Sequence, residues 1–293
     1  MLIIPKEIPM INEAKVTGKG NNLWLEVLKI IVISSVTNLL VLFFSEKIIK
    51  MFIINTLANT DLSIFKYLYG NIIGILIIIV YCHYVENRTI SSMGLKKSKI
   101  CIQYVKGAFI GFLLFSCVVF IGVFLKLFTF ESRNKNIDIR IVLLFLGGFL
   151  LQGMFEEMVF RGYFMISMAR KNSLYISVIL NSAIFGFMHG FNNGFQIIGF
   201  LNLTLFGIFE SIYMLRKGNI WGISSIHSIW NFAQGLIYGF SISGIPKIQS
   251  IFVFNSIDYN IFNGGSFGPE GSLSATIVLM GAVIISLLYK REI

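Results

Sequence analysis

Apolar residues in this chain gather into long runs that are nearly free of charge, and polar residues are confined to the gaps between them. A membrane-spanning helix needs roughly 20 mostly apolar residues. On that measure the pattern predicts spans near 25–45, 63–84, 104–127, 141–168, 174–191, 196–215, 219–240 and 272–289. Pro5, Pro9, Pro246 and Pro269 all fall outside these spans, as uninterrupted helices require. The polar-aromatic stretch 241–271, rich in Gly, Ser and Asn, predicts a loop. No internal repeat or low-complexity linker divides the chain. The expected fold is all-α, a polytopic membrane helical bundle of about eight transmembrane helices. It forms a single membrane domain over 1–293, with a polar N-terminal segment at 1–23.

Composition agrees. The 293 residues are 56% hydrophobic and 13% charged, with mean hydropathy +0.80, where a soluble domain is about a quarter charged. The net charge of +10 would point to nucleic acid in a soluble protein. Here the basic residues lie mostly between apolar runs, so membrane topology and anionic lipid explain them. Membrane lipid is therefore an expected partner and nucleic acid is not. The Lys/Arg bias favours a multi-pass protein of the cell membrane with both termini cytoplasmic, although the segment 126–140 runs against it. The N-terminal stretch is too polar for a signal peptide, so the first apolar run is expected to stay as an anchor. Cys82, Cys101 and Cys117 follow no metal-ligand spacing and suggest free thiols.

The segment FEEMVFRGYF, 155–164, breaks the pattern. Glu156, Glu157 and Arg161 are the only charges between Ile141 and Ala169. A charge at the bilayer centre costs about 3 kcal/mol on insertion scales and usually marks pairing or function. Glu157 and Arg161, four apart, share a helix face with the acid on the N-terminal side, the better order for an ion pair. Glu156 lies about 100° around the helix and is left available. A packing network between helices explains the three charges equally well on spacing alone. The histidines change the balance. His83 sits at a membrane edge beside Glu86 and Arg88, but His189 and His227 fall inside predicted spans. Asn181, Phe185 and His189 form one stripe at intervals of four, and His227 and Asn231 project together. Counted from the basic turns, Glu156 and His189 lie at depths of about 21 and 27 Å, whereas His227 lies at only about 15 Å. Convergence therefore needs tilt or unequal helices.

A carboxylate, imidazoles and a carboxamide suit amide hydrolysis. Glu156 would act as general base on a water, His189 would hold that water, and His227 and Asn231 would donate to the developing oxyanion. No cofactor is required in that scheme. The alternative is a zinc site with Glu156, His189 and His227 as ligands, although H-E-x-x-H is absent and Asn231 is a poor zinc ligand. Smaller features have plainer readings. Glu210 is expected to be a snorkelled or paired acid near Arg216 and Lys217. Glu270 in GPEG reads as a loop or helix-start residue with a possible gate role. The stretch 190–194 reads as a turn, with pocket-mouth lining by Asn192 and Asn193 as the alternative. Trp24 and Trp221 read as interface anchors, and Trp230 as packing beside the site.

The motifs E-E-x-x-x-R (Glu156, Glu157, Arg161), F-x-x-x-H (Phe185, His189) and H-x-x-x-N (His227, Asn231) resemble those of the CPBP family. This is the CAAX protease and bacteriocin-processing family, also called Abi or type II CAAX prenyl endopeptidase-like. The flanking NSAIFGFMHGFNNG, RKGNIWGISSIHSIWNFAQG and GGSFGPEGSL are similar too. The resemblance covers about 147–290 and implies a catalytic core over 141–290. It implies an eight-helix fold and an intramembrane endopeptidase in which Glu156 and His189 activate water, and His227 and Asn231 stabilise the oxyanion. Glu157, Arg161 and Phe185 support the site. The implied substrate is a hydrophobic or membrane-anchored peptide, and the implied roles include bacteriocin self-immunity and peptide maturation. Two other classes stand beside this one. A non-catalytic immunity or scaffold protein would tolerate loss of Glu156. A proton-coupled transporter predicts broken helices in two related halves, which the sequence lacks.

Overall fold

The computed structural model describes residues 8–16, 20–49, 59–258 and 260–288. A short helix α1 (Pro9–Val16) precedes α2 (Leu23–Ile49) and α3 (Asn59–Val80), the latter continued by a π turn at Tyr81–Val85. α4 (Ile100–Phe124) is followed by strand β1 (Phe128–Arg133). α5 (Ile139–Glu157) runs through a π-helical stretch, Met158–Met165, into α6 (Ile166–Ala169). Then come α7 (Leu174–Met188), α8 (Ile197–Lys217), and α9 (Trp221–Phe232) with a π turn at Ala233–Ile237. Strand β2 (Phe252–Ser256) and α10 (Leu273–Leu288) complete the described chain. Local chemistry sets several ends. Asp138 caps α5 by accepting from the Arg140 amide at 2.8 Å, and Ser173 caps α7 by accepting from the Ile176 amide at 3.3 Å. Gly218 closes α8 at φ +69°.

Each predicted span corresponds to a helix, but not every helix is a full crossing. Among the described residues, five stretches are long and apolar enough to cross a membrane: Leu23–Val41, Asp61–Val85, Ile100–Phe124, Ile139–Ala169 and Ile197–Lys217. α7 has only 15 residues, and α9 with its π turn runs from Trp221 to Ile237, against about 20 for a crossing. α9 is short because it is enclosed by protein. Nearly all of it is buried, so neighbouring helices rather than lipid thickness fix its length. α4 and α5 approach α9 closely through small residues, as membrane helices do. A Cβ at Gly107 would come within 2.2 Å of the Gly222 carbonyl oxygen, and one at Gly153 within 2.3 Å of Ser228 Oγ. α7 ends at Met188, before the turn at 190–194 where Gly194 has φ +72°. The span predicted over 174–191 therefore stops early, and His189 caps the helix instead of lying within it.

The stretch 241–271 is not simply a loop. Its β2 pairs antiparallel with β1, placing Phe130 opposite Phe254 with ring centroids 5.3 Å apart. Both segments, FTFESR and FVFNS, carry the aromatic and β-branched residues that favour a pleated surface. The rest of this connection folds over one end of the bundle. Asn192 Nδ2 donates to the Ser243 carbonyl at 2.7 Å, and the Gly244 amide donates to the Phe267 carbonyl at 2.9 Å.

Candidate active site

α5 presents Gln152 and Glu156 one turn apart, so Gln152 Nε2 donates to Glu156 Oε1 at 3.0 Å. From α9, Asn231 Nδ2 donates to Gln152 Oε1 at 3.2 Å. One carboxamide thus ties the carboxylate of one helix to the asparagine of another. Glu156 Oε2 faces His227 Nε2 at 3.6 Å, just beyond hydrogen-bond reach.

Glu157 points elsewhere. Its Oε1 accepts from Arg161 Nη1 at 2.8 Å and lies 2.8 Å from His227 Nδ1. Arg161 Nη2 lies 3.3 Å from Glu210 Oε2 on α8, and its guanidinium stacks 4.5 Å over the Phe185 ring. Glu157, Arg161 and Glu210 are fully buried. Two carboxylates face one guanidinium and one imidazole, so the group closes to zero net charge when His227 carries protons on both nitrogens. The Phe185 and Phe206 rings pack edge-on against His227, at 5.9 and 5.3 Å. The π-helical turn that begins at Met158 carries Arg161; such turns are common at functional sites.

His189, at the end of α7, holds its Nδ1 2.9 Å from the Phe185 carbonyl. The Nδ1–H donates there, which leaves Nε2 to accept. The structure brings Glu156, His189, His227 and Asn231 to the wall of one cavity of about 40 Å³, together with Phe185. That volume admits water, which needs about 10–15 Å³. Tyr67, Glu156, His189, Asn192 and Ile245 also line a second, larger cleft of about 510 Å³. Its walls come from α2, α3, α5 and α7 and are mostly apolar, with Ser34, Asn38 and Ser63 as polar points.

Asn181 is not brought to the cavity; it is buried against α8, with Nδ2 3.4 Å from Ser211 Oγ. Other residues join that the sequence reading placed elsewhere. Glu210 is paired, but with Arg161 across the bundle rather than with the basic residues that end its own helix. The reason lies on α8 itself: a Cβ at Gly207 would come 2.9 Å from Arg161 Nη2, so a glycine there lets the guanidinium reach Glu210. Glu270 is a wall of the cavity. Its Oε1 accepts from Trp230 Nε1 at 3.2 Å, its Oε2 accepts from the Ser243 hydroxyl, and its carbonyl accepts from Asn202 Nδ2 at 2.7 Å. Gln152 and Tyr67 were missed. Gln152 lies four residues before Glu156, a spacing that announces the contact; nothing local marks Tyr67.

The donor set fits zinc poorly. Among the described residues, the His/Cys/Asp/Glu group whose ligand atoms lie within 4.8 Å of one another is Glu157, Glu210 and His227, not Glu156, His189 and His227. Arg161 already bridges the two carboxylates of that group, so a fixed cation stands where a metal would be held.

No curated protein and no solved structure matches the chain. The stretch from the α5 cap through α9, which carries Glu156, Glu157, Arg161, Phe185, His189, Glu210, His227 and Asn231, stops short of the Ser243 and Glu270 segment that closes the cavity. That stretch, residues 138–233, matches the Rce1-like family, type II CAAX prenyl endopeptidase Rce1-like.

Proposed function

We propose that the protein is an intramembrane endopeptidase that hydrolyses a bond in a membrane-associated or hydrophobic peptide, using water activated by Glu156 and His189. One observation carries the reading. Glu156, His189, His227 and Asn231, from three different helical segments, line one water-sized cavity beside an apolar cleft.

The apolar cleft takes the peptide and brings its carbonyl to the junction where both cavities share Glu156 and His189. Glu156, steadied through one oxygen by Gln152, removes a proton from water with the other. His189 Nε2 accepts from the same water and fixes its lone pair towards the carbonyl carbon. His227, clamped at Nδ1 by Glu157, donates from Nε2 to the oxyanion, and Asn231 adds its second amide hydrogen. Glu156 then returns the proton to the leaving nitrogen. The scheme uses no metal. A chain with both termini on the cytoplasmic side accounts best for the Lys/Arg bias.

The test uses purified protein in liposomes with fluorogenic apolar peptides. Wild type cleaves, Glu156→Gln and His189→Ala do not, and all three reach the membrane in equal amounts. Activity survives a zinc chelator. Wild-type cleavage that Glu156→Gln leaves intact overturns the assignment, and peptide binding without cleavage identifies a binding protein instead.

A further inference from the structure

The turn at residues 242–245 belongs to the connection that folds over one end of the bundle, and it stands where the two cavities of the site meet. Ile242, Ser243 and Ile245 line the water-sized cavity, and Ile245 lines the larger cleft as well. Among the described residues, Ile245 is the aliphatic side chain that both cavities share. It therefore stands beside Glu156 and His189 at their junction without taking part in the proton transfers.

The turn is built to stay in place. Ile242 and Ile245 exchange two backbone hydrogen bonds, of 3.2 and 2.8 Å. Between them Ser243 (φ +46°) and Gly244 (φ +84°) both take positive φ, the primed geometry of a tight two-residue turn. Pro246 comes next in the chain and restricts Ile245 to extended backbone. Other segments hold the turn from two sides. Asn192 Nδ2, from the turn after α7, donates to the Ser243 carbonyl at 2.7 Å. From the segment before α10, the Phe267 carbonyl accepts from the Gly244 amide at 2.9 Å, and Glu270 Oε2 accepts from the Ser243 hydroxyl. A wall pinned at this many points admits or refuses a group by its size.

We infer that Ile245 is the specificity-determining residue for the side chain on the carbonyl side of the cleaved bond, and that it limits that side chain to glycine or alanine size. The inference rests on the peptidase reading above. The cavity of about 40 Å³ has room for about three groups of water's size, at about 10–15 Å³ each. The attacking water takes one place. The carbonyl oxygen takes another, because its donors His227 and Asn231 are in the cavity wall. One place is left, bounded by apolar Ile242 and Ile245. The carbonyl carbon is one bond from the Cα that bears the side chain in question, so that side chain is the group carried in. A methyl group fits, and a larger one meets Ile245. The side chain on the amine side is left in the cleft of about 510 Å³, where size matters less.

The test uses the full protein in liposomes and two series of fluorogenic apolar peptides. One series carries glycine, alanine, valine, leucine or phenylalanine on the carbonyl side of the cleaved bond, and the other varies the amine side. Wild type cleaves the alanine peptide with a kcat/KM at least about tenfold above that of the leucine peptide. Ile245→Ala lowers that ratio by about tenfold or more. Ile245→Phe raises it and still cleaves the glycine peptide. Each ratio is internal to one variant, so the amount of folded protein cancels. The amine-side series keeps its order throughout. The same carbonyl-side order in wild type and both variants, or a change confined to the amine-side series, overturns the proposal. If wild type cleaves no peptide, the peptidase reading fails by itself, and the wall is then judged by fluorescence anisotropy of the labelled peptides. Tighter binding of the alanine peptide that Ile245→Ala abolishes supports the wall, and equal binding of the whole carbonyl-side series overturns it.

Discussion

Two clusters of buried charge stand on the one long helical stretch from α5 to α6, and they are built differently. Near its C-terminal end, Arg170 reaches Glu86 at 2.5 Å and Glu26 at 3.5 Å, and Glu86 also takes Lys29 at 2.5 Å. Arg88 beside it is saturated. It donates to the Gly162 and Tyr163 carbonyls, to the Ser167 hydroxyl, and to both the carbonyl and the hydroxyl of Ser92. The cluster about Arg161 is left partly unmet. Among the described residues, no hydrogen-bond partner reaches Arg161 Nε, Glu157 Oε2, either Glu210 oxygen or Asn231 Oδ1. Buried polar groups are usually satisfied, and exceptions call for a reason. The saturated cluster pins α2, α3 and the segment after it to the foot of α5–α6. Of the unmet one, Asn231 lines the cavity and Glu157 holds His227 in its wall, a setting that marks a candidate functional site.

Breaking the two clusters separates these roles. Glu156→Gln has the largest expected effect: loss of cleavage by up to about 10⁴-fold, the upper range for a general base, with the unfolding midpoint in detergent unchanged. A variant that loses stability in step with activity would move Glu156 to the structural side. Arg161→Met comes next. It strands Glu157 and Glu210 against each other in the core and is expected to cost about 3–5 kcal/mol, read by thermal unfolding, with cleavage lost as well. Arg88→Met removes hydrogen bonds to neutral groups only and is expected to cost about 1–3 kcal/mol. Cleavage per folded molecule stays near wild type. Equal activity losses in Arg88→Met and Arg161→Met would erase the distinction.

The sequence displayed the ingredients of the unmet cluster better than its wiring. Spacings of four put Glu157 with Arg161, Phe185 with His189 and His227 with Asn231 on shared faces, because helix periodicity is local. Intramembrane charges and histidines stand out against apolar runs for the same reason. Which helices become neighbours is a property of packing, and it was not legible. Glu210 was read against Arg216 and Lys217, its neighbours in sequence, yet Gly207 opens the space through which Arg161 reaches it. The π turn at Met158–Met165 and the strand in FVFNS have no counterpart in hydrophobic periodicity. The depth mismatch of His227 had a simple origin. α9 is a short helix enclosed by protein, so counting residues from a basic turn misplaces it. Ser243 and Glu270 entered the cavity from a connection that reads as loop, where composition says little about direction.

The smallest expected effect belongs to the saturated cluster and depends on pH. Burial alone would raise the Glu86 carboxyl, but Lys29 and Arg170 hold it below the usual carboxylate range. An unfolded chain takes up that proton near about pH 4.3, whereas the folded protein resists until lower pH. The contribution of Glu86 to stability is therefore complete above the unfolded value and drains away as pH falls through the folded one. Thermal unfolding followed from about pH 6 to about pH 3 should show the midpoint falling at the acid end, and Glu86→Gln should flatten that part of the fall. The cavity residues share no hydrogen bond with Glu86, so the same substitution should leave the pH profile of cleavage in place. If Glu86→Gln displaces that profile instead, the two clusters titrate as one network, and the boundary between a pinning cluster and a reacting one disappears.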